Sequence, residues 1–516
     1  MSIASNPIPP SSVSKAFAVV TIAAVVRLIF AALIPVFPDE AYYWEWSRHL
    51  APGYFDHPPG IALLIRLGGV LLAPFGMSAT RLGIRLGPIV AGWIAAMATV
   101  GVARRLSGER GALRAAIVIS VLPLAAAGLI LATPDSPLLA TTAVALYSLV
   151  RALESPPNSS DSLRWWAISG VMVGLSFSSK YTSIFLPIGA VIAIFLHPAL
   201  RVRFRERGPY VACVLATIVF LPVLVWNSNH GWISFVYQLQ HGFSPSQGSA
   251  LLAAWRHLGD FFGGQLGLAS PILFVMLAMA VGAALSRRTD GTRFVLGAVA
   301  ALTFGFFIYS SFRRRVEPNW PAPAYIPAIV LLAAMPWSVR GEKWLTRGIG
   351  LAAVLSLVIY AQAVFPILPI PPQRDPIGRA FGWRELTMRV DAAARLASGE
   401  THSTTWLSGD RYQEAAELAL HWPTHPATFA LNFAGRPNQY DFWPLYSKVA
   451  RPGDNLLLVI DDSDAPHKAI ILLAPYFTEA RRGELVTLHR RNGVIATRRI
   501  WVLINWHGDW PPPPRR

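Results

Sequence analysis

Four short stretches of this chain set acidic, imidazole and cationic side chains beside apolar runs. Asp39 and Glu40 stand immediately after one such run, and Asp56-His57 precedes Pro58-Pro59. A carboxylate with a second acid or an imidazole nearby can take a proton from an acceptor hydroxyl or amine, and can hold a divalent cation. Asp39 and Glu40 also have a plainer reading, as water-facing caps of the helix that follows. Lys180-Tyr181 comes after Ser176, Ser178 and Ser179. Its ammonium either reaches from the span end to water or contacts a phosphate. The fourth stretch runs Arg313-Arg314-Arg315-Val316-Glu317-Pro318-Asn319-Trp320-Pro321. Guanidinium groups bind phosphate through paired N–H donors, so this run marks an anion site unless Glu317 pairs locally with one arginine. Two weaker candidates are Asp135, in the turn TPDSP, and the polar Asn438-Gln439-Tyr440-Asp441 segment.

These stretches fall between apolar runs, each close to the ~20 residues that cross a ~30 Å hydrocarbon core. The runs lie near 16–36, 82–103, 113–132, 136–153, 165–179, 182–198, 210–226, 264–286, 294–310, 320–336 and 347–365. They predict an α-helical polytopic membrane protein with about eleven spans, nine to thirteen allowing for ambiguous runs. Residues 60–75 form either an interfacial helix or a further span. The first run has no cleavage pattern before it and reads as a retained span.

Charges in the short loops orient the chain. Arg104, Arg105, Arg110 and Arg114 form one cluster, and Arg201, Arg203, Arg205 and Arg207 a second. Arg287, Arg288 and Arg293 form a third, and Arg340, Lys343 and Arg347 a fourth. All four fall on one side, which the positive-inside rule makes the cytoplasm. The N-terminus is then cytoplasmic. The segment 37–59, the 133–135 turn, the 180–181 junction, a long loop at 227–263, the 311–319 loop and everything after 366 lie outside. Tyr42, Tyr43, Trp44 and Trp46 suit the membrane interface. Arg313–Arg315 break the charge rule, since they stand on the translocated side.

Composition agrees. Of 516 residues 53% are apolar and only 14% charged, and mean hydropathy is +0.43, which excludes a soluble enzyme of this size and a disordered chain. One cysteine, Cys213, excludes a disulfide scaffold. The net charge of +17 suggests a polyanion partner, but the loop arginines record topology, so no nucleic acid is expected. Neither a Walker motif nor a GxGxxG in strand–helix context is present. After the prolines at 366, 369, 371 and 372 the pattern becomes polar and mixed. Residues 411–421 read as a helix, and 454–460 and 493–504 as strands. The expected division is a membrane domain over 1–366 and a small outer α/β domain over 367–516.

Together these motifs resemble the family 39 glycosyltransferases of the GT-C membrane superfamily, which includes protein O-mannosyltransferases and the aminoarabinose transferase acting on lipid A. The resemblance rests on the Asp-Glu pair after the first span, the YFDHPP element, the lysine-tyrosine, and R-x-E-P-N-W-P-A-P-A-Y. GW-x-E-L at 382–386 and R-x-NQYDFW at 436–443 extend it. It implies transfer of one sugar from a polyprenyl-phosphate donor to an envelope lipid, glycan or protein on the periplasmic face of the inner membrane. Asp39 would be the catalytic carboxylate, with Glu40, Asp56 and His57 near it. Lys180, Tyr181 and the 313–319 segment, with Arg313, Arg314, Arg315, Glu317 and Asn319, would hold the lipid phosphate. The aminoarabinose transferase carries a glutamate-lysine pair where this chain has Asp56-His57, so its donor, acceptor and metal ligands do not transfer. The competing functions are a flippase or a ligase of lipid-linked glycans.

Overall fold

A computed structural model describes residues 12–243, 250–286, 290–433, 437–461 and 467–511. Arg287, Arg288 and Arg436 lie outside these residues. Each of the eleven apolar runs is helical over at least part of its length. Among the described residues, six helices are long and apolar enough to cross a bilayer: Lys15–Leu33, Arg81–Val121, Asp135–Glu154, Gly208–Asn229, Gly291–Ser311 and Val339–Val364. Two bent pairs raise this to eight, with breaks of 112° after Leu196 and 100° after Ala269.

The shortfall from eleven has physical causes. Two of the expected spans form one 41-residue helix, Arg81–Val121, whose helical geometry breaks at Ser107 and Gly108. Gly108 has φ +65°, a conformation that side-chain-bearing residues seldom adopt. The arms on either side fold back on each other. Arg85 of the first arm binds Glu40, which also accepts the Ala132 amide, and Ile119 of the second arm lines a cavity with Asp135. Arg105, next to the break, pairs instead with Glu154. The second arm stops at Val121 rather than 132, because Pro123 cannot continue it. Ala322–Ala334 is only 13 residues long, yet every one of them is buried. It is a core helix wrapped by others.

The expected loop at 227–263 is instead mostly helical, with Ile233–Phe243 and Ala250–Ala269 following the end of Gly208–Asn229. Gly208–Asn229 itself buries little and presents apolar residues such as Val214, Ile218 and Val225 outward, as a lipid-facing helix does.

The two ends of the bundle differ in charge. Asp135–Glu154 has 20 residues and so separates its ends by about 30 Å. At its Glu154 end the arginine clusters meet: Arg105 with Glu154, Arg110 and Arg114 with Glu342, Arg203 with the Leu153 and Ser155 carbonyls, and Arg293 with the Leu106 carbonyl. At its Asp135 end gather the segments expected to carry chemistry. The protein is a multi-pass α-helical membrane protein with a charge-clustered end and a separate site end.

Beyond Val364 the chain forms a five-stranded sheet. Its strands are β1 Thr405–Gly409, β2 Thr428–Ala430, β3 Asn455–Asp461, β4 Phe477–Arg490 and β5 Gly493–Trp506, in the order β2-β1-β3-β5-β4. β1 runs parallel to β2 and β3, and β5 antiparallel to β3 and β4. The run LLLVI in β3 is continuously apolar because both sheet faces are covered. Leu457 and Val459 pack with Trp383, Leu386 and Val390 of the Trp383–Thr401 helix. Leu456, Leu458 and Ile460 face Tyr446, Leu473 and Trp506. The helix and both strands expected here are present.

The helix Tyr412–His421 joins this sheet to the site end. Leu418 faces the sheet, while Ala415, Ala416, Ala419 and Leu420 pack against Ala41, Tyr42, Trp44 and Trp46. Tyr42, Trp44 and Trp46 are therefore buried by protein and do not form the membrane-interface belt expected of them. Glu417 is fully buried in the same helix, 3.2 Å from His421. Burial pushes its carboxyl up from the usual 4.5 to about 7. A raised carboxyl stabilises the fold fully below the unfolded pKa and loses that contribution as pH rises through the folded one. The loss thus falls between pH 4.5 and about 7 and amounts to about 3 kcal/mol. Glu417→Gln is expected to melt at higher temperature than the parent at pH 8, with the gap closing by pH 5. Thermal melts of the detergent-solubilised protein at both pH values check this.

Candidate active site

The first outer segment folds as the helix Pro38–Arg48. Pro38 occupies the first turn, where its missing N–H costs nothing. Glu40 Oε2 accepts the Phe37 amide at 3.0 Å, which caps the helix as one reading of this pair supposed. Its other oxygen accepts the Arg85 Nε and the Ala132 amide, each at 2.8 Å. Arg85 is completely buried and also donates to the carbonyls of Ala31, Ile34 and Pro35. The Glu40 carboxylate is thus fully committed to fastening the helix to the Arg81–Val121 span and to the turn before Asp135. Neither oxygen is left open for the catalytic role expected of Glu40. Arg85 itself was missed, although an arginine inside an apolar run is unusual enough to signal it.

Asp39 is exposed one residue earlier, and its Oδ1 accepts the Tyr412 hydroxyl at 2.9 Å. Tyr412 begins the helix that docks from the sheet region, so a residue 373 positions away faces the candidate base.

Asp56-His57 meets Lys180-Tyr181 because two backbone segments touch. The Gly60 amide donates to the Ser178 carbonyl at 2.9 Å. A β-carbon at Gly60 would lie 2.8 Å from Ser179 Oγ and 3.0 Å from the Ser178 carbonyl oxygen, so only glycine permits the approach. The result is a cavity of about 460 Å³. Asp56, His57, Lys180, Tyr181, Gln238 and Ser310 supply its polar wall. Phe185, Phe235, Phe306, Phe307 and Trp320 supply the apolar one, with Tyr42, Tyr43, Tyr237 and Tyr412 between.

Lys180 is almost buried and donates to Asp135 Oδ1 at 2.6 Å. Asn319 Nδ2 donates to the other Asp135 oxygen at 2.5 Å. Asp135 heads the helix Asp135–Glu154 as a cap reading would have it, yet its carboxylate holds the cavity lysine. Asn319 therefore stands behind the lysine and lines a second, apolar cavity of about 230 Å³. Tyr181 is fixed by Ser234 at 2.9 Å and Asn227 at 3.3 Å.

The arginine run is outside the described cavity lining, with Arg314 close to the lining residue Tyr237. Arg313 lies over the Tyr309 ring, 5.0 Å from its centroid, and is exposed. Arg314 donates to the Gln240 carbonyl at 3.4 Å. Arg315 sits 3.7 Å from Glu317 with both side chains more than half exposed, which is the local pairing weighed for Glu317. None of Arg313, Arg314, Arg315 and Glu317 lines the cavity. Of the lysines and arginines expected to hold the lipid phosphate, the described lining contains Lys180 alone.

For a cation, Asp56 and His57 offer two adjacent ligating side chains, and among the described residues no three His, Cys, Asp or Glu groups cluster. Among the described residues this chain alone supplies no closed metal site.

The family model for dolichyl-phosphate-mannose-protein mannosyltransferases matches residues 56–226, a stretch holding both Asp56-His57 and Lys180-Tyr181. The lipid A galacturonosyltransferase RgtD of Rhizobium johnstonii is 27% identical over 370 residues, covering 70% of this chain and 73% of that protein. ArnT from Cupriavidus metallidurans, solved with undecaprenyl phosphate bound, superposes with a TM-score of 0.63 at 17% identity, over 95% of this chain and 98% of that one. The chain has the GT-C glycosyltransferase fold. The Archaeoglobus fulgidus oligosaccharyltransferase, at TM-score 0.51 and 13% identity, covers 86% of this chain and 69% of its own. The GT-C likeness to ArnT spans both the membrane helices and the C-terminal sheet, and the resemblance drawn from the motifs holds at that level.

Proposed function

We propose that the protein transfers a single sugar from a polyprenyl-phosphate donor to an envelope acceptor at the periplasmic face of the inner membrane. The observation that carries this reading is the cavity. It joins one nearly buried ammonium to an aromatic, apolar wall at the site end of a membrane bundle, and its rim residue Tyr412 also binds an exposed carboxylate. A lipid phosphate needs an anchored cation beside lipid-compatible surface, and the acceptor needs a base that it can reach from water. Asp39 takes the proton of the acceptor hydroxyl or amine. The acceptor heteroatom bonds to the anomeric carbon, the carbon–oxygen bond to phosphate breaks, and polyprenyl phosphate leaves with its charge facing Lys180.

The lipid A on which RgtD acts, and the undecaprenyl phosphate held by ArnT, favour a lipid A-like acceptor and an undecaprenyl donor. On this reading 367–516 is an extracytoplasmic domain. A divalent cation would be held by the Asp56 carboxylate and the donor phosphate, as magnesium commonly is, with His57 beside it, and would supply positive charge to the leaving phosphate.

Mass spectrometry of envelope lipids and glycans from cells with and without the gene tests the proposal. One sugar missing from one acceptor is expected. Identical envelopes, together with failure of the purified protein to consume polyprenyl-phosphate sugars, would overturn it.

A further inference from the structure

The Tyr42 hydroxyl donates to Asp56 Oδ2 at 2.7 Å and accepts the Gln439 amide at 2.6 Å. Since the amide can only donate, the single phenolic proton is directed at the Asp56 carboxylate. The Gln439 side chain supplies a second arm, its Oε1 accepting the Phe55 amide at 2.8 Å. One residue thus grips both the backbone next to Asp56 and the phenol that binds its carboxylate. Tyr42, Phe55, Asp56 and Gln439 are all less than 5% exposed, so water cannot substitute for a lost partner. Gln439 is itself held rigidly. It opens a 3-10 turn in which Asn438 Oδ1 accepts the Tyr440 amide at 3.0 Å and Asp441 accepts the Asn438 amide at 2.8 Å. Gln238 of the Ile233–Phe243 helix completes the cage by donating to the Asp56 carbonyl at 2.6 Å.

We propose that Gln439 is a positioning residue of the transfer site, through which the C-terminal region sets the geometry of Asp56. The sheet region is then a working part of the site. This inference rests on the reading of the cavity as the donor site.

Gln439→Met keeps the length and removes the acceptor. Positioning partners of this kind typically cost about 10- to 100-fold when lost, so kcat per folded molecule is expected to fall at least about tenfold while the KM for undecaprenyl-phosphate sugar stays unchanged. Tyr42→Phe keeps the ring contacts, removes the other arm and is expected to show the same split. Amide hydrogen exchange read in parallel should show residues 53–57 exchanging faster in Gln439→Met with the membrane helices unaffected. Wild-type kcat in both variants, or unchanged protection at 53–57, overturns the proposal. A wild-type protein that transfers nothing would sink the donor reading instead, and exchange at 53–57 would still decide whether Gln439 holds the segment.

Discussion

Asp39→Asn is expected to lower sugar transfer by about 10²- to 10⁴-fold, the range that a positioned general base contributes, while leaving fold and donor binding intact. The carboxylate is exposed, so no buried charge is uncovered by the change. Asparagine keeps the oxygen that accepts the Tyr412 hydroxyl. The remaining structural cost is the loss of a negative charge in the first helical turn, about 0.3–1 kcal/mol at an exposed site. Glu40 cannot take over, because the Phe37 amide, the Ala132 amide and Arg85 occupy its oxygens. The neighbouring acids therefore separate cleanly. Glu40→Gln breaks a buried ion pair and shows up first as lost folded protein, whereas Asp39→Asn shows up as lost turnover in folded protein. Single-turnover transfer in the purified protein, with thermal melts alongside, distinguishes them. Transfer at the parental rate in Asp39→Asn would remove Asp39 from the mechanism.

What the sequence shows of this site follows the range of the interactions involved. Hydropathy is local, so the six long apolar helices among the described residues are visible, and so are the β3 and β5 strands. The elements that place Asp56, His57, Lys180 and Tyr181 in one cavity were legible too, since each sits at a span end on the same side. What the sequence does not show is non-local. Glu40 is an acid like Asp39 until Arg85, 45 positions on, is brought against it. Tyr42, Trp44 and Trp46 look like an interfacial belt until the alanine face of Tyr412–His421 covers them. The arginines at 313–315 drew attention through their charge, yet charge alone does not aim a side chain. Tyr309, Gln240 and Glu317 take them instead. Tyr412 lies 373 positions from Asp39, and Gln439 lies 384 from Phe55. Only the packed C-terminal region reveals that it contributes to the site.

The ammonium of Lys180 is expected to be the main electrostatic hold on the donor phosphate, and the arginine run a minor one. Lys180→Met should therefore weaken undecaprenyl phosphate binding at least about tenfold, roughly 1.4 kcal/mol. That variant alone is ambiguous. It strands Asp135 as an uncompensated charge in a nearly buried position, and breaking such a pair commonly destabilises by about 3–5 kcal/mol. The double variant Lys180→Met/Asp135→Asn resolves this. It removes both charges, and the amide oxygen introduced in place of the Asp135 carboxylate can still accept from Asn319, so thermal stability should recover most of the loss. Phosphate affinity should not recover, because the cavity then has no ammonium. Arg313→Gln/Arg315→Gln is the complementary control. Both side chains are exposed and outside the cavity lining, and screening weakens such surface charges. Binding there should change less than about twofold, since exposed charges contribute only a few tenths of a kcal/mol. Scintillation or fluorescence binding of undecaprenyl phosphate in detergent reads all three. Recovery of affinity in the double variant would mean that Lys180 serves only to neutralise Asp135. A large loss in the arginine variant would return the phosphate to the 313–315 run.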